Sequence, residues 1–315
     1  LKFFKAQNIN IVRAQDPLWQ SLCDEEGMMV FVGNYGVPKI PGVTREQPPA
    51  FEESAVDYYQ QLFASQYMSH ASVVIWILTN EMPRPGIEVG DKWLDFLRKC
   101  YDGLKKWDPT RAYIATTGFG LGQTGDVNSF HSYFGWYNGL AQSAYKFRED
   151  QRPLIGLAAP KQPMIFTETV GVYIDELGRM PATDKQVAPS VMWAGNDADV
   201  PEVAMGYQAY LAKELIEILR RMRSENPDIA GLTPFTTTAT GWANAKSFEE
   251  IPFLPLITKA YPVAYQPVLL SFDNRWPHVY AGDTVRMPVH LVNDAEDGRA
   301  IAAPVLKWRL VNGNI

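Results

Sequence analysis

Cysteine and histidine are both scarce, with two of the first and four of the second in 315 residues. Cys23 and Cys100 fall in unrelated helical contexts without a Cys-x-x-Cys spacing, which reads as two free, buried thiols and excludes a disulfide framework. Two of the histidines lie beyond residue 270, so no His/Cys metal cluster is expected. Long apolar runs are missing as well. None approaches the ~18 residues that a membrane-spanning helix needs, and the N-terminus lacks the charged, apolar, small-residue order of a signal peptide. There is no long basic run either, and a formal net charge of −6 speaks against nucleic acid as a partner.

What remains is the composition of a soluble globular chain, 46% hydrophobic and 20% charged, long enough for one large α/β barrel or two ordinary domains. Seven apolar, β-branched-rich runs recur along it: "NINIVR" (8–13), "MMVFVGN" (28–34), "SVVIWILTNE" (72–81), "AYIATTG" (112–118), "VNSFHSYFGW" (127–136), "PMIFTETVG" (163–171) and "DIAGLTPFTTT" (228–238). Between them lie helical patterns, among them "PLWQSLCDEEG" closing on Gly27 and "DKWLDFLRKCYDGLKKWDP" closing at Asp108-Pro109. In "GYQAYLAKELIEILRRMRSENP" the apolar Leu211, Leu215, Ile218, Leu219 and Met222 recur at helical spacing. Lys213, Glu214, Glu217, Arg220 and Arg221 fall on the opposite side, so one face is built for packing and the other for charge.

Strands that are apolar throughout belong to a parallel sheet covered on both sides, and alternating β and α elements specify such a sheet. The expected architecture is a (β/α)8 TIM barrel over residues 1–265. Because "LKFFKAQN" reads as a helix end leading straight into a strand, the first barrel strand is expected upstream of residue 1, in a longer parent. A doubly wound sheet is the structural rival, but no Gly-x-Gly-x-x-Gly follows any strand. From Gln266 the pattern changes to strict apolar/polar alternation with Ala-Gly-Asp and Glu-Asp-Gly turns. Residues 266–315 are therefore expected to begin an antiparallel β-sandwich domain.

In a (β/α) barrel the reactive groups are displayed where strands end. "HASVVIWILTNEM" (70–82) turns abruptly from apolar wall to Asn80-Glu81, and "PMIFTETVG" ends in the same way on Glu168. Three strands separate the two glutamates, which places them across the barrel mouth from one another. Two opposed carboxylates suit glycoside hydrolysis, in which one protonates the leaving oxygen and the other attacks or stabilises the oxocarbenium-like centre.

These segments carry a family resemblance. "HASVVIWILTNEM" resembles the acid/base signature of glycoside hydrolase family 2, the β-galactosidase, β-glucuronidase and β-mannosidase family. "PMIFTETVG" resembles its nucleophile segment, "HSYFGWYNG" (131–139) its strand-six segment, and "AGDTVRMPVHLVND" an immunoglobulin-like domain that follows the barrel in many members. The likeness implies a retaining, exo-acting β-glycosidase, most nearly β-galactosidase-like, with Glu81 as general acid/base and Glu168 as nucleophile about 5 Å apart. It makes Asn80 the holder of the sugar 2-hydroxyl and Tyr133 the hydrogen-bond partner of the nucleophile, although a core aromatic is an equal reading of Tyr133. Glu81 is expected to be kept protonated and Glu168 charged.

Two places depart from the family pattern. After Arg13 the run is "AQDPLW", without the histidine often found there, and Arg13 is open to two readings, a charge partner of the nucleophile or a barrel-interior arginine. After the last strand stands "TPFTTTATGW", so Phe235 or Trp242 would supply the stacking surface. Trp136, Tyr137 and Trp242 are candidate sugar platforms or structural aromatics, Trp76 is core, and Asn34 is a candidate sugar contact. A glycoside or oligosaccharide is the expected partner, with no cofactor, metal, nucleic acid or membrane; a homo-oligomer is left open. The family suggests a periplasmic or extracellular location, and a cytoplasmic one stays compatible. The competing function is a carbohydrate-binding or degenerate barrel without turnover, supported by the two departures.

Overall fold

The computed structural model describes residues 1–34, 36–44, 51, 53–82, 90–121, 124–134, 141–146, 162–169, 201–235, 246–247, 249–251, 255–274 and 279–309. Two compact units divide the chain, residues 1–265 and 266–315.

In the first unit, helices and strands alternate except where β5 follows β4: α1 (Lys2–Ala6), β1 (Ile11–Arg13), α2 (Pro17–Glu26), β2 (Met29–Gly33), α3 (Glu53–Gln66), β3 (Val73–Asn80), α4 (Gly90–Trp107), β4 (Ala112–Thr117), β5 (Asn128–Ser132), a 3-10 helix (Ala141–Lys146), β6 (Met164–Thr169), α5 (Pro201–Met222), β7 (Ile229–Pro234) and α6 (Pro255–Ala264). Strands β1 to β4 form one parallel sheet in sequence order, and β5 to β7 a second. Beyond the end of β4, an antiparallel bridge between Phe119 and Phe130 joins the two sheets. Each of the seven apolar runs contains one of these strands.

Local chemistry sets the element ends. α2 starts on Asp16, whose carboxylate accepts from the Leu18 N–H at 2.9 Å with Pro17 in the first turn, and stops at Gly27 with φ of 63°. That left-handed conformation is cheap for glycine and ends the helix cleanly.

Strands β2 and β3 are apolar on both faces because both faces are covered, whereas the buried β5 is mostly polar, with Asn128, Ser129 and Ser132. Ile75 and Ile77 of β3 join Phe31 of β2 and Ile114 of β4 in one cluster, with Ile11 of β1 and Ile165 of β6 packed against it. Side chains from both parallel sheets therefore share one interior. On the other face, Trp76 and Leu78 pack with Val30, Val32, Tyr59, Phe63 and Phe96 against α3 and α4. Trp76 is fully buried, stacks on Phe63 at 4.4 Å and donates its ring N–H to Asp108 at 3.0 Å, as a buried indole must find a partner.

Helix α5 satisfies much of its charge inside the protein. Its apolar face packs with Met164, Phe166 and Ile229, but the charged residues opposite are not a solvent face. Glu214, Glu217, Arg220 and Arg221 are all buried. Arg221 donates to Tyr145 at 2.6 Å and to Glu214 at 3.0 Å, and lies 3.6 Å from Glu217. Burial pushes the Glu214 carboxyl up from its usual value, against the pull of Arg221. A helical period shows that two faces differ, and charge can be satisfied by a partner as well as by water.

In the second unit, β8 (Val268–Phe272) pairs antiparallel with β9 (Val289–Asn293), and burial alternates along both strands. Among the described residues, no helix is long and apolar enough to cross a membrane.

Candidate active site

Parallel pairing brings the ends of the strands to one level. Asn80 at the end of β3 lies opposite Thr117 of β4, and His131 of β5 opposite Glu168 of β6. Arg13 closes β1 and reaches across this surface.

Glu168 is the most heavily engaged group. Its Oε1 accepts from Arg13 Nη1 at 2.6 Å and its Oε2 from the Tyr133 hydroxyl at 2.5 Å. The second guanidinium nitrogen of Arg13 donates to Asn80 Oδ1 at 2.6 Å. Thr117 Oγ1 donates to that same oxygen. Asn80 is thus fixed with its carbonyl oxygen inward, which leaves its NH2 as the group to offer a ligand. Arg13 and Glu168 thus form an ion pair.

His131 stands between the glutamates. Its Nδ1 is 2.9 Å from Glu81 Oε1 and 3.4 Å from Glu168 Oε2, and its side chain is only 4% exposed. Its Nε2 is buried with no hydrogen-bond partner among the described residues. A buried N–H without an acceptor is rarer than a bare acceptor, so we assign a ring proton to Nδ1, which faces both carboxylates. Oxygens of Glu81 and Glu168 and the imidazole nitrogen all lie within 4.8 Å of one another. Two carboxylates and an imidazole are also donors suited to a divalent cation, although here Arg13 already supplies positive charge to Glu168.

The two glutamates differ in access. The Glu81 side chain is 36% exposed and that of Glu168 14%, so Glu81 faces the solvent side of the pair. Glu81 also has φ of +53°, a left-handed backbone uncommon for a non-glycine residue and often found at functional sites. Gly118, with φ of +108°, makes room beside it: a Cβ there would lie 3.1 Å from His131 Nδ1 and 3.2 Å from Glu81 Cγ.

The structure therefore brings together Arg13, Asn80, Glu81, Tyr133 and Glu168. Phe235 follows β7, is 44% exposed, and meets the Tyr133 ring edge to face at 6.3 Å. Asn34 follows β2, and its amide donates to the Gly36 carbonyl at 2.8 Å, within its own loop. Trp136, Tyr137 and Trp242 lie outside the described residues. His131, Thr117 and Gly118 are site residues that the sequence reading passed over. For His131 a signal existed: it precedes Tyr133 by two, and in an extended segment such residues share a face.

Comparison with known proteins places this geometry. The model of glycosyl hydrolases family 2, TIM barrel domain, matches residues 1–214. No curated protein matches the chain by sequence. Among solved structures, a β-glucuronidase 2 from Bacteroides uniformis, covalently bound to a cyclophellitol-6-carboxylate aziridine, aligns with a TM-score of 0.56 at 18% identity, over 87% of this chain and 33% of its own. A family 2 β-galacturonidase from Eisenbergiella tayi, bound to glycerol, gives 0.56 at 18% identity, over 84% of this chain and 46% of its own. A protein described as a putative β-galactosidase from Bacteroides fragilis gives 0.53 at 16%, over 87% and 40%. The chain thus spans from a third to under half of the length of these proteins, and at such identities the likeness is one of fold. With the family model covering more than half of its residues, the chain belongs to glycosyl hydrolases family 2 and carries that family's TIM barrel domain.

Proposed function

We propose that the first unit is the catalytic barrel of a retaining, exo-acting β-glycosidase, with Glu168 as nucleophile and Glu81 as general acid/base. The observation that carries this reading is the carboxylate pair, with oxygens within 4.8 Å of one another. Retaining glycosidases hold their carboxyls about 5–5.5 Å apart, whereas an inverting enzyme needs room for a water between them. The environments favour the same division of labour. Glu168, sheltered, is held in one orientation by Arg13 and Tyr133; Glu81, on the open side, can exchange its proton with an aglycone or with water.

In this mechanism a Glu168 oxygen attacks the anomeric carbon while Glu81 gives its proton to the departing glycosidic oxygen. The bond to the aglycone breaks, and a glycosyl ester of Glu168 forms. Glu81, now ionised, takes a proton from water, whose oxygen attacks the same carbon and frees Glu168. Asn80 offers its NH2 to the sugar 2-hydroxyl, and the Phe235 ring is placed to pack on the apolar face of a sugar. His131 keeps a proton between the two carboxylates and orients Glu81.

The substrate is a terminal β-linked sugar, β-galactoside-like on the resemblance of the sequence motifs. In this reading residues 266–315 open the immunoglobulin-like domain, for which the alternating antiparallel pair β8–β9 speaks. The test is a panel of aryl β-galactosides, glucosides, mannosides, glucuronides and galacturonides given to the protein, with Glu168→Gln as control. Turnover abolished by that change, and a 2-deoxy-2-fluoro sugar trapped on Glu168 by mass spectrometry, support the reading. Oligosaccharide binding by calorimetry without turnover of any sugar would leave a binding barrel instead.

A further inference from the structure

The left-handed backbone of Glu81 is unexplained by Glu81 itself, since nothing in a glutamate side chain favours a positive φ. The conformation persists because neighbouring structure over-determines it, and two groups of β4 do so. The Glu81 N–H donates to the Thr117 carbonyl at 2.8 Å, and the Met82 N–H donates to the Thr116 hydroxyl at 3.0 Å. Both Thr116 and Met82 are 2% exposed, so water cannot replace the hydroxyl as acceptor. The first bond is backbone to backbone and would form with any residue at 117. The second exists only because residue 116 carries an oxygen on its side chain.

We propose that Thr116 is a positioning residue for the acid/base. By accepting the Met82 N–H it fixes the turn just after Glu81 and so holds the Glu81 carboxyl against His131, over the space that Gly118 leaves open. Thr116 touches no substrate; its effect runs through the backbone. The inference rests on the acid/base role proposed above for Glu81.

Loss of the hydroxyl leaves a buried N–H unsatisfied, which the chain relieves by moving the turn. A displaced acid has a recognisable kinetic signature. General acid catalysis contributes about 10²–10⁴-fold where the leaving group needs a proton, and little where the departing oxygen is a stable anion. The experiment compares Thr116→Val and Thr116→Ser with the full-length wild-type protein, using the 2,4-dinitrophenyl and the phenyl β-glycoside of whichever sugar the wild type turns over. For Thr116→Val, kcat/KM on the phenyl glycoside is expected to fall about 10–100-fold, with the dinitrophenyl glycoside changed by less than about threefold. Thr116→Ser, which keeps the acceptor, restores the phenyl activity. Equal losses on both substrates, or no loss on either, overturn the role of Thr116 while leaving Glu81 and Glu168 in place. Absence of turnover in the wild type, or turnover undiminished by Glu168→Gln, overturns the catalytic reading and this inference with it.

Discussion

Two polar clusters meet β3, one against its first half and one at its end, and they use similar groups to opposite effect. In the first, the buried carboxylate of Asp108 accepts from the Thr110 N–H and hydroxyl, from the Trp76 ring and from Arg111. Arg111 in turn donates from Nε to the Val73 carbonyl and from Nη2 to that of Met68. Charge is paired there, and the cluster ties β3 to the turn between α4 and β4. In the second, Glu81 and Glu168 share one imidazole nitrogen, and the backbone of Glu81 is left-handed. Saturated networks rigidify, while a pair of carboxylates sharing one proton-bearing partner is poised to move protons. The difference separates a structural use of acid and arginine from the chemical one proposed for Glu81 and Glu168.

That contrast can be broken from either side. The largest effect is expected for Glu168→Gln, which removes the proposed nucleophile but little packing: kcat on an aryl glycoside falls at least about 10³-fold, while the thermal midpoint stays close to that of the wild type. Asp108→Asn should do the reverse, costing about 2–4 kcal/mol in denaturant unfolding with KM unchanged. Hydrogen bonds from Thr110, Trp76 and Arg111 overcome the effect of burial and hold Asp108 well below the usual carboxylate range. Its contribution is therefore fully present above the unfolded value of about 4 and is lost as the pH falls below it. The stability gap between wild type and Asp108→Asn should accordingly narrow in acid; a gap constant from pH 7 to pH 3 would sink this account.

His131→Gln tests whether the shared imidazole belongs with chemistry or with structure. A loss in kcat of about tenfold or more with little change in midpoint places it with the glutamates; a drop in stability with kcat retained moves it to the structural side. The smallest effect is expected at Gly118. Alanine there meets both a positive φ and close neighbours, so Gly118→Ala should cost about 1 kcal/mol in stability, together with a severalfold fall in kcat as His131 and Glu81 give way, read by urea titration and initial rates.

The parts legible in the sequence were those whose cause is local. β2 and β3 are short apolar runs because a strand covered on both faces favours that composition, and Gly27 ends α2 by its own backbone freedom. Asn80-Glu81 and Glu168 were visible because a carboxylate at the end of such a run breaks its pattern. Where the cause was distant, the reading stayed open. For the charged side of α5, periodicity records a difference between faces and not what covers them. Arg13 stayed undecided because its partners, Asn80 and Glu168, are 67 and 155 residues away.

By itself, then, the sequence determined the alternation of helix and strand, the apolar wall, and the two glutamates that end β3 and β6. Tertiary structure alone decided that Arg13 and Tyr133 grip Glu168, that His131 lies between the carboxylates, and that Thr116 receives the backbone turn beyond Glu81. The physical reason is that composition and period act over a few neighbouring residues. Hydrogen bonds between side chains need atoms within about 3 Å of one another, and only the register of parallel strands brings such atoms together.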